Sequence, residues 1–123
     1  MKLDGKAAVL TGAGGLLGRA LAERFIAEGA TGLVLCDDDP GPSETTAASL
    51  QSSATEVVVA PADVRDPAAV DRLVDVAMAR HDHLDVMLNN AGIIAPNGAF
   101  TVISAAKPAS EKVASCSPPR TVR

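Results

Sequence analysis

Four short apolar runs, uninterrupted by polar residues, recur along the chain before residue 90. They are Ala7–Leu10, Leu33–Cys36, Val57–Ala60 and Val86–Leu88. A strand with one wet face alternates apolar and polar residues, so continuous apolar runs of this length are typical of strands buried on both faces. The pattern therefore predicts the strands of a parallel sheet.

Helical patterns lie between these runs. The first, Leu17–Glu28, repeats apolar side chains every three to four residues, and Gly29 follows as a stop signal. The second, over residues 43–53, is less regular, and Ser43 is its predicted cap. The third begins after Asp66, a suitable cap that is followed at once by a proline. Its apolar face consists of Val70, Leu73, Val74 and Ala77.

The predicted order is β-α-β-α-β-α-β, with right-handed crossovers. This order indicates an α/β fold with an open, doubly wound parallel sheet. We expect residues 1–100 to form this partial domain, which stops after about the fourth strand. Residues 101–123 lack a periodic pattern, so we expect an irregular or disordered tail there. The tail is basic, because residues 95–123 carry four basic side chains and one acidic one.

Composition narrows the function classes. The 123 residues, 47% of them hydrophobic, suit one globular unit. The net charge of −4 does not favour a nucleic-acid partner, and no run approaches the ~18 apolar residues of a membrane span. Asp4 and Lys6 stand where a signal peptide needs its apolar stretch. Only Cys36 and Cys116 are present, so we expect no disulfide framework and a cytoplasmic location.

The first strand leads into a glycine-rich segment, Thr11–Gly18, that opens the first helix. Gly12, Gly15 and Gly18 permit a tight turn, a close approach of phosphate to the backbone, and close packing of helix on sheet. The N–H groups at the start of the helix then suit a pyrophosphate. We include Leu17, which belongs to this segment, among the residues that bind the cofactor. The alternative is an ordinary glycine-rich turn; the strand before and the helix after favour the binding role.

Asp37 ends the second predicted strand, 19 positions after Gly18. An acidic residue at about this distance accepts hydrogen bonds from the adenosine ribose, and its charge repels a 2′-phosphate. No Arg or Lys is near it in the sequence. The sequence therefore predicts NAD in preference to NADP. A metal cluster over residues 36–39 is the weaker alternative, because adjacent side chains at a strand end diverge.

Three motifs, in order over residues 1–94, resemble the short-chain dehydrogenases/reductases. The Thr11–Gly18 segment is similar to T-G-x-x-x-G-x-G and departs from it at Leu16, although the spacing G-x-x-G-x-x-G is met in full. Asp63 and Val64 follow the third strand, and residues 89–92 are identical to the family's N-N-A-G. The resemblance covers about three quarters of the chain.

The resemblance implies a Rossmann-like NAD(P)-binding fold and an oxidoreductase that transfers hydride between a nicotinamide and an alcohol or carbonyl. It implies that Asp63 contacts the adenine amino group, with the backbone of Val64 close by. A small alcohol or carbonyl substrate is implied for a full-length relative, and a homo-oligomer is one option. The remaining residues assigned to the cofactor are Asn90, Ala91 and Gly92.

The catalytic segment of the family, a Ser followed by Tyr-x-x-x-Lys, has no counterpart, because the sequence contains no Tyr. We therefore assign no catalytic residue and no metal ligand. The pattern at Ser104–Lys107 fits a Ser-x-x-Lys nucleophile, but this spacing is common by chance. The segment His81–His83 is interpreted as a solvated loop.

Three hypotheses are consistent with the sequence. The chain is a truncated or frame-shifted dehydrogenase, a non-catalytic NAD-binding module, or an interaction protein that pairs through the exposed edge of its fourth strand. The coding DNA tests the first, since an alternative frame would contain Ser followed by Tyr-x-x-x-Lys.

Overall fold

Strands and helices alternate over residues 7–88, in the order that the sequence predicts. The computed structural model describes residues 2–50, 54–94, 100–102 and 120–122. The alternating elements are β1 (Ala7–Thr11), α1 (Leu16–Ala27), β2 (Gly32–Cys36), α2 (Pro40–Ser49), β3 (Glu56–Val59), α3 (Pro67–His81) and β4 (Val86–Leu88).

The four strands form one parallel sheet in the order β3-β2-β1-β4. Leu10 of β1 is paired with Leu35 of β2 on one side and with Leu88 of β4 on the other. Because all strands run the same way, their carboxyl ends lie along one edge of the sheet. The predicted open, doubly wound parallel sheet is confirmed.

Helices cover both faces of this sheet, and successive strand residues alternate between them. Leu10 and Leu35 belong to the cluster on one face, where they meet Phe25 of α1. Their neighbours Val9 and Val34 belong to the cluster on the other face, which α3 covers. This explains why the strands read as continuous apolar runs. The buried residues of the second cluster are Val9, Val34, Cys36, Leu73 and Ala77.

The start of α2 differs from the prediction. The helix begins at Pro40, and its cap is Asp39, whose Oδ1 accepts a hydrogen bond from the N–H of Gly41 at 3.0 Å. Proline suits the first helical position because it lacks the N–H that would otherwise need a partner. Ser43, the predicted cap, is instead fully buried, and its Oγ has no hydrogen-bond partner among the described residues.

The start of α3 agrees with the prediction. Asp66 Oδ1 accepts a hydrogen bond from the N–H of Ala68 at 3.1 Å, and Pro67 holds the first helical position. The helix ends at His81, and Asp82 follows in the left-handed region at φ 63°.

A second, antiparallel sheet follows the parallel one. It consists of β5 (Ile93–Ile94), β6 (Phe100–Val102) and β7 (Arg120–Val122), in the order β5-β6-β7. The pattern did not predict these strands, because β5 and β6 are only two and three residues long, and β7 pairs with residues about 20 positions before it. Within the predicted irregular tail, residues 101–102 and 120–122 form strands instead. Residues 103–119 and 123 lie outside the described residues, so the prediction stays open for them.

Candidate functional site

An open cleft of about 510 Å³ lies at the carboxyl edge of the parallel sheet. It is formed where β1, β2, β3 and β4 end, as expected for a ligand site in an open α/β sheet. Every residue that the sequence assigned to cofactor binding lines this cleft. These residues are Gly12, Gly15, Leu17, Gly18, Asp37, Asp63, Val64, Asn90, Ala91 and Gly92.

Both the backbone conformation and the close neighbours of position 12 favour glycine there. Its φ is +68°, in the left-handed region that side chains rarely adopt. A Cβ on Gly12 would lie 2.9 Å from Asn90 Nδ2 and 3.0 Å from the backbone of Ala91. The Asn90 amide donates a hydrogen bond to the carbonyl of Gly12 at 3.2 Å. The loops after β1 and β4 are therefore in direct contact across the cleft.

Thr11 strengthens the same junction. Its Oγ1 accepts hydrogen bonds from the N–H groups of Asn90 and Ala91, each at 3.1 Å, and donates one to the carbonyl of Leu88 at 3.4 Å. The side chain is almost fully buried. One hydroxyl thus holds the segment after β4 against β1. Only the presence of Thr11 in the glycine motif could have indicated this role from the sequence.

The N-terminus of α1 differs from those of the other two described helices. Asp39 and Asp66 cap α2 and α3 with carboxylates, whereas the cap of α1 is Gly15, which supplies no side-chain acceptor. The first N–H groups of α1, at Leu16 and Leu17, therefore lack the kind of partner that caps the other helices. Such groups, together with the helix dipole, suit an anionic ligand.

Asp37 is held in a defined orientation at the end of β2. Its Oδ2 accepts a hydrogen bond from the N–H of Gly14 at 3.0 Å, and its Oδ1 accepts one from the N–H of Asp38 at 2.9 Å. The carboxylate therefore joins the end of β2 to the glycine loop. Each oxygen keeps further capacity to accept hydrogen bonds.

Asp63 forms an ion pair inside the cleft that the sequence analysis missed. Arg65 donates from Nε to Asp63 Oδ1 at 2.9 Å and from Nη2 to Oδ2 at 2.7 Å. The backbone N–H of Arg65 also donates to Oδ1 at 2.9 Å. These hydrogen bonds lower the pKa of Asp63 to about 2.

The ionisable residues that line the cleft are Asp37, Asp38, Asp63 and Arg65. The predicted preference for NAD rested partly on the absence of an Arg or Lys near Asp37. That absence is true of the sequence around Asp37 but not of the cleft. In space, the loop after β3 brings a guanidinium into the same cleft. A residue 28 positions from Asp37 gives no local signal of this proximity.

The interpretation of His81–His83 as a solvated loop is wrong for His81. Its side chain is 6% exposed and packs on Gly32, where a Cβ would lie 2.5 Å from the ring. His81 Nδ1 lies 3.4 Å from Glu56 Oε2. The absence of a side chain at Gly32 creates this space, which no local pattern reveals. Among the described residues, no group of three His, Cys, Asp or Glu side chains could hold a metal ion.

The sequence matches the profile of the short chain dehydrogenase family over residues 6–116. It is 41% identical over 98 residues to 1-deoxy-11-beta-hydroxypentalenate dehydrogenase from Streptomyces exfoliatus, covering 80% of this chain and 35% of that protein. It is 36% identical over 93 residues to sorbitol dehydrogenase from Cereibacter sphaeroides, covering 76% of this chain and 35% of that protein. The chain thus spans about a third of the length of these relatives.

Solved structures give the same result. A short chain dehydrogenase/reductase from Burkholderia phymatum, in complex with NAD, matches with a TM-score of 0.71 and 39% identity, covering 77% of this chain and 34% of that one. Levodione reductase matches with a TM-score of 0.70 and 36% identity, covering 76% of this chain and 36% of that one. Together with the parallel sheet and its glycine loop, these matches show that the chain belongs to the short-chain dehydrogenase family.

Proposed function

We propose that the cleft binds NAD, with the pyrophosphate at the start of α1 and the adenosine between Asp37 and Asp63. The observation that carries the proposal is convergence, since loops after four different strands bring all ten assigned residues to one cleft. The glycine cradle, the helix start without a carboxylate cap, and the oriented Asp37 each fit a part of a dinucleotide. A relative of known structure was solved with NAD.

The nicotinamide of a bound cofactor supplies the hydride chemistry, and the described residues bind and orient it. We propose that the whole protein is an NAD-dependent oxidoreductase acting on an alcohol or carbonyl, as the family implies. None of the 123 residues is a Tyr, the acid/base of the family. This chain by itself is therefore expected to bind cofactor without turnover.

The proposed preference for NAD over NADP rests on the charges beside the ribose site. Asp37 and Asp38 line the cleft together, and a 2′-phosphate placed near them would meet two carboxylates. Arg65 supplies one opposing charge, but three carboxylates line the same cleft, those of Asp37, Asp38 and Asp63. The net balance supports NAD.

A titration of NADH with the full chain tests the proposal. The sequence contains neither Trp nor Tyr, so the fluorescence of NADH is observed against a low background. We expect saturable enhancement, heat release on calorimetric titration with NAD, and about tenfold weaker binding of NADPH, equivalent to about 1.4 kcal/mol. If neither the fluorescence enhancement nor the heat of binding is observed at millimolar protein, the proposal is overturned.

Two matched variants test the role of Asp37. Asp37→Asn keeps the side-chain shape and one acceptor oxygen but removes the charge, so it should narrow the difference between NADH and NADPH. Asp71→Asn removes an exposed charge on α3, outside the cleft, and should leave that difference unchanged. An unchanged difference in the Asp37 variant would contradict the assigned role.

A second candidate function is self-association through β4. Within the described residues, β4 forms one end of the parallel sheet and is paired on one side only, with β1. An unpaired strand edge can accept another strand. Analytical ultracentrifugation should then show a concentration-dependent dimer, and a strictly monomeric chain would exclude this candidate.

Further proposals concern the setting of the protein. None of the described helices is long and apolar enough to cross a membrane. The net charge of −4 supports a protein that does not bind nucleic acid, and the two cysteines support a reducing, cytoplasmic compartment. A homo-oligomer is proposed for the whole protein on the family resemblance.

A further inference from the structure

The ion pair between Arg65 and Asp63 occupies the carboxylate that, by the family resemblance, contacts the adenine amino group of the proposed cofactor. Both side chains line the cleft, and both are solvent-accessible, at 66% and 42% exposure. A ligand can therefore reach the pair from solvent. Each Asp63 oxygen already accepts two hydrogen bonds, Oδ1 from the backbone N–H and Nε of Arg65, and Oδ2 from its Nη2 and Nε. Because a carboxylate oxygen has about two acceptor sites, an amine that donates to Asp63 competes with the guanidinium.

The geometry allows the guanidinium to move while the carboxylate stays in place. The backbone N–H of Arg65 donates to Asp63 Oδ1 at 2.9 Å, so the turn orients Asp63 whatever the side chain at position 65 is. The guanidinium uses Nε and Nη2 on Asp63, and its Nη1 has no partner among the described residues. An arginine side chain carries five N–H donors in total, so this one retains donors for a ligand.

We propose that Arg65 sets the specificity of the site for the base of the dinucleotide, an inference that rests on the proposed NAD function. An exocyclic amine, as in adenine, donates to Asp63 and has to displace the guanidinium. A carbonyl at the same ring position, as in hypoxanthine, accepts from Arg65 and leaves the ion pair in place. Arg65 thus weakens binding of the adenine cofactor and permits binding of the carbonyl-bearing one.

Calorimetric titrations of the full chain with NAD and with nicotinamide hypoxanthine dinucleotide test this inference. In Arg65→Ala, the free carboxylate meets the amine without competition, so NAD should bind about two to five times more tightly, the range of an exposed ion pair. The hypoxanthine dinucleotide should bind more weakly, because its carbonyl then faces an unpaired carboxylate. The dissociation constant of the hypoxanthine dinucleotide divided by that of NAD should therefore rise about threefold or more.

Arg72 provides a matched control. Arg72 lies on α3, outside the cleft, and its side chain has the same 66% exposure. It pairs with Asp66, the cap of that helix, at 3.7 Å. Arg72→Ala should leave the ratio unchanged. In an Asp63→Asn background, Arg65→Ala should lose most of its effect, because the carboxylate for which it competes has gone.

The outcomes separate the two proposals. NAD binding by the parent chain with an unchanged ratio in Arg65→Ala would overturn the role of Arg65 and leave the proposed function standing. A uniform loss for both dinucleotides would also overturn it, since the removal of one positive charge weakens binding of any anionic dinucleotide without distinguishing the bases. No NAD binding by the parent chain would overturn both. Far-UV circular dichroism of each variant confirms that the exposed substitutions leave the fold intact.

Discussion

Replacing Gly18 by alanine should both destabilise the fold and disrupt the cofactor site. Gly18 is buried in the first turn of α1, against the loop that begins at Gly12. A Cβ there would lie 2.8 Å from Ala13 Cα and 2.9 Å from the carbonyl carbon of Gly12, and closer still to the Gly12 oxygen. All three atoms belong to the backbone, so the clash is relieved only if the loop or the helix moves.

The expected magnitude follows from two opposing effects. Alanine favours a helix over glycine by about 1 kcal/mol. Overpacking of a tight site costs roughly 1–3 kcal/mol, and the upper end applies because no flexible side chain can give way. We therefore expect a net loss of about 2 kcal/mol in the free energy of unfolding, with the loop displaced from the position that suits a pyrophosphate.

Urea denaturation followed by far-UV circular dichroism measures the first effect, and NADH titration measures the second. Gly15→Ala is the control from the same loop, because its Cβ would lie 3.7 Å from the nearest atom, the Gly12 oxygen, in ordinary contact. That variant should stay within about 1 kcal/mol of the parent chain. A Gly18 variant as stable as the parent would refute the argument from close packing.

Two further predictions concern ionisation. Because the pKa of Asp63 in the folded chain is about 2, below the ordinary 3.8, its ion pair with Arg65 stabilises the fold fully above about pH 4, and this stabilisation is lost as the pH falls toward 2. The melting temperatures of the parent and Asp63→Asn should therefore converge over that interval, and a difference that stays constant would contradict the assignment. Burial, with a smaller contribution from the neighbouring Asp37, raises the pKa of the Cys36 thiol to about 11. In a Cys116→Ser background, Cys36 should therefore react with a disulfide reagent at pH 8 only after denaturant is added, and rapid labelling of the native chain would show that the thiol is accessible.

Most of the fold was predictable because its signals are local. Apolar runs such as Leu33–Cys36 indicate burial on both faces, and Asp66 with the proline after it marks a helix start. The error at α2 has a local cause as well. Asp39 and Ser43 are both suitable caps, but the proline at position 40 favours the first helical position, so the helix begins there and Asp39 is its cap.

The candidate site was predictable to the extent that parallel strands bring their carboxyl ends to one edge. That rule places Gly12, Asp37, Asp63 and Asn90 together without a structure, and all four line the cleft. The rule gives no information on how each side chain is partnered. Hydrogen bonds from Gly14 to Asp37 and from Asn90 to Gly12 depend on the packing of separate loops.

The sequence by itself determined the order of elements, the doubly wound sheet and the edge at which a ligand should bind, because periodicity, caps and glycine spacing act over a few residues. Only the tertiary structure decided that Arg65 occupies Asp63 in the cleft, that Thr11 holds the segment after β4, and that His81 is buried over Gly32. These contacts depend on side chains that meet only once the strands and loops have packed, and such proximity leaves no pattern along the chain.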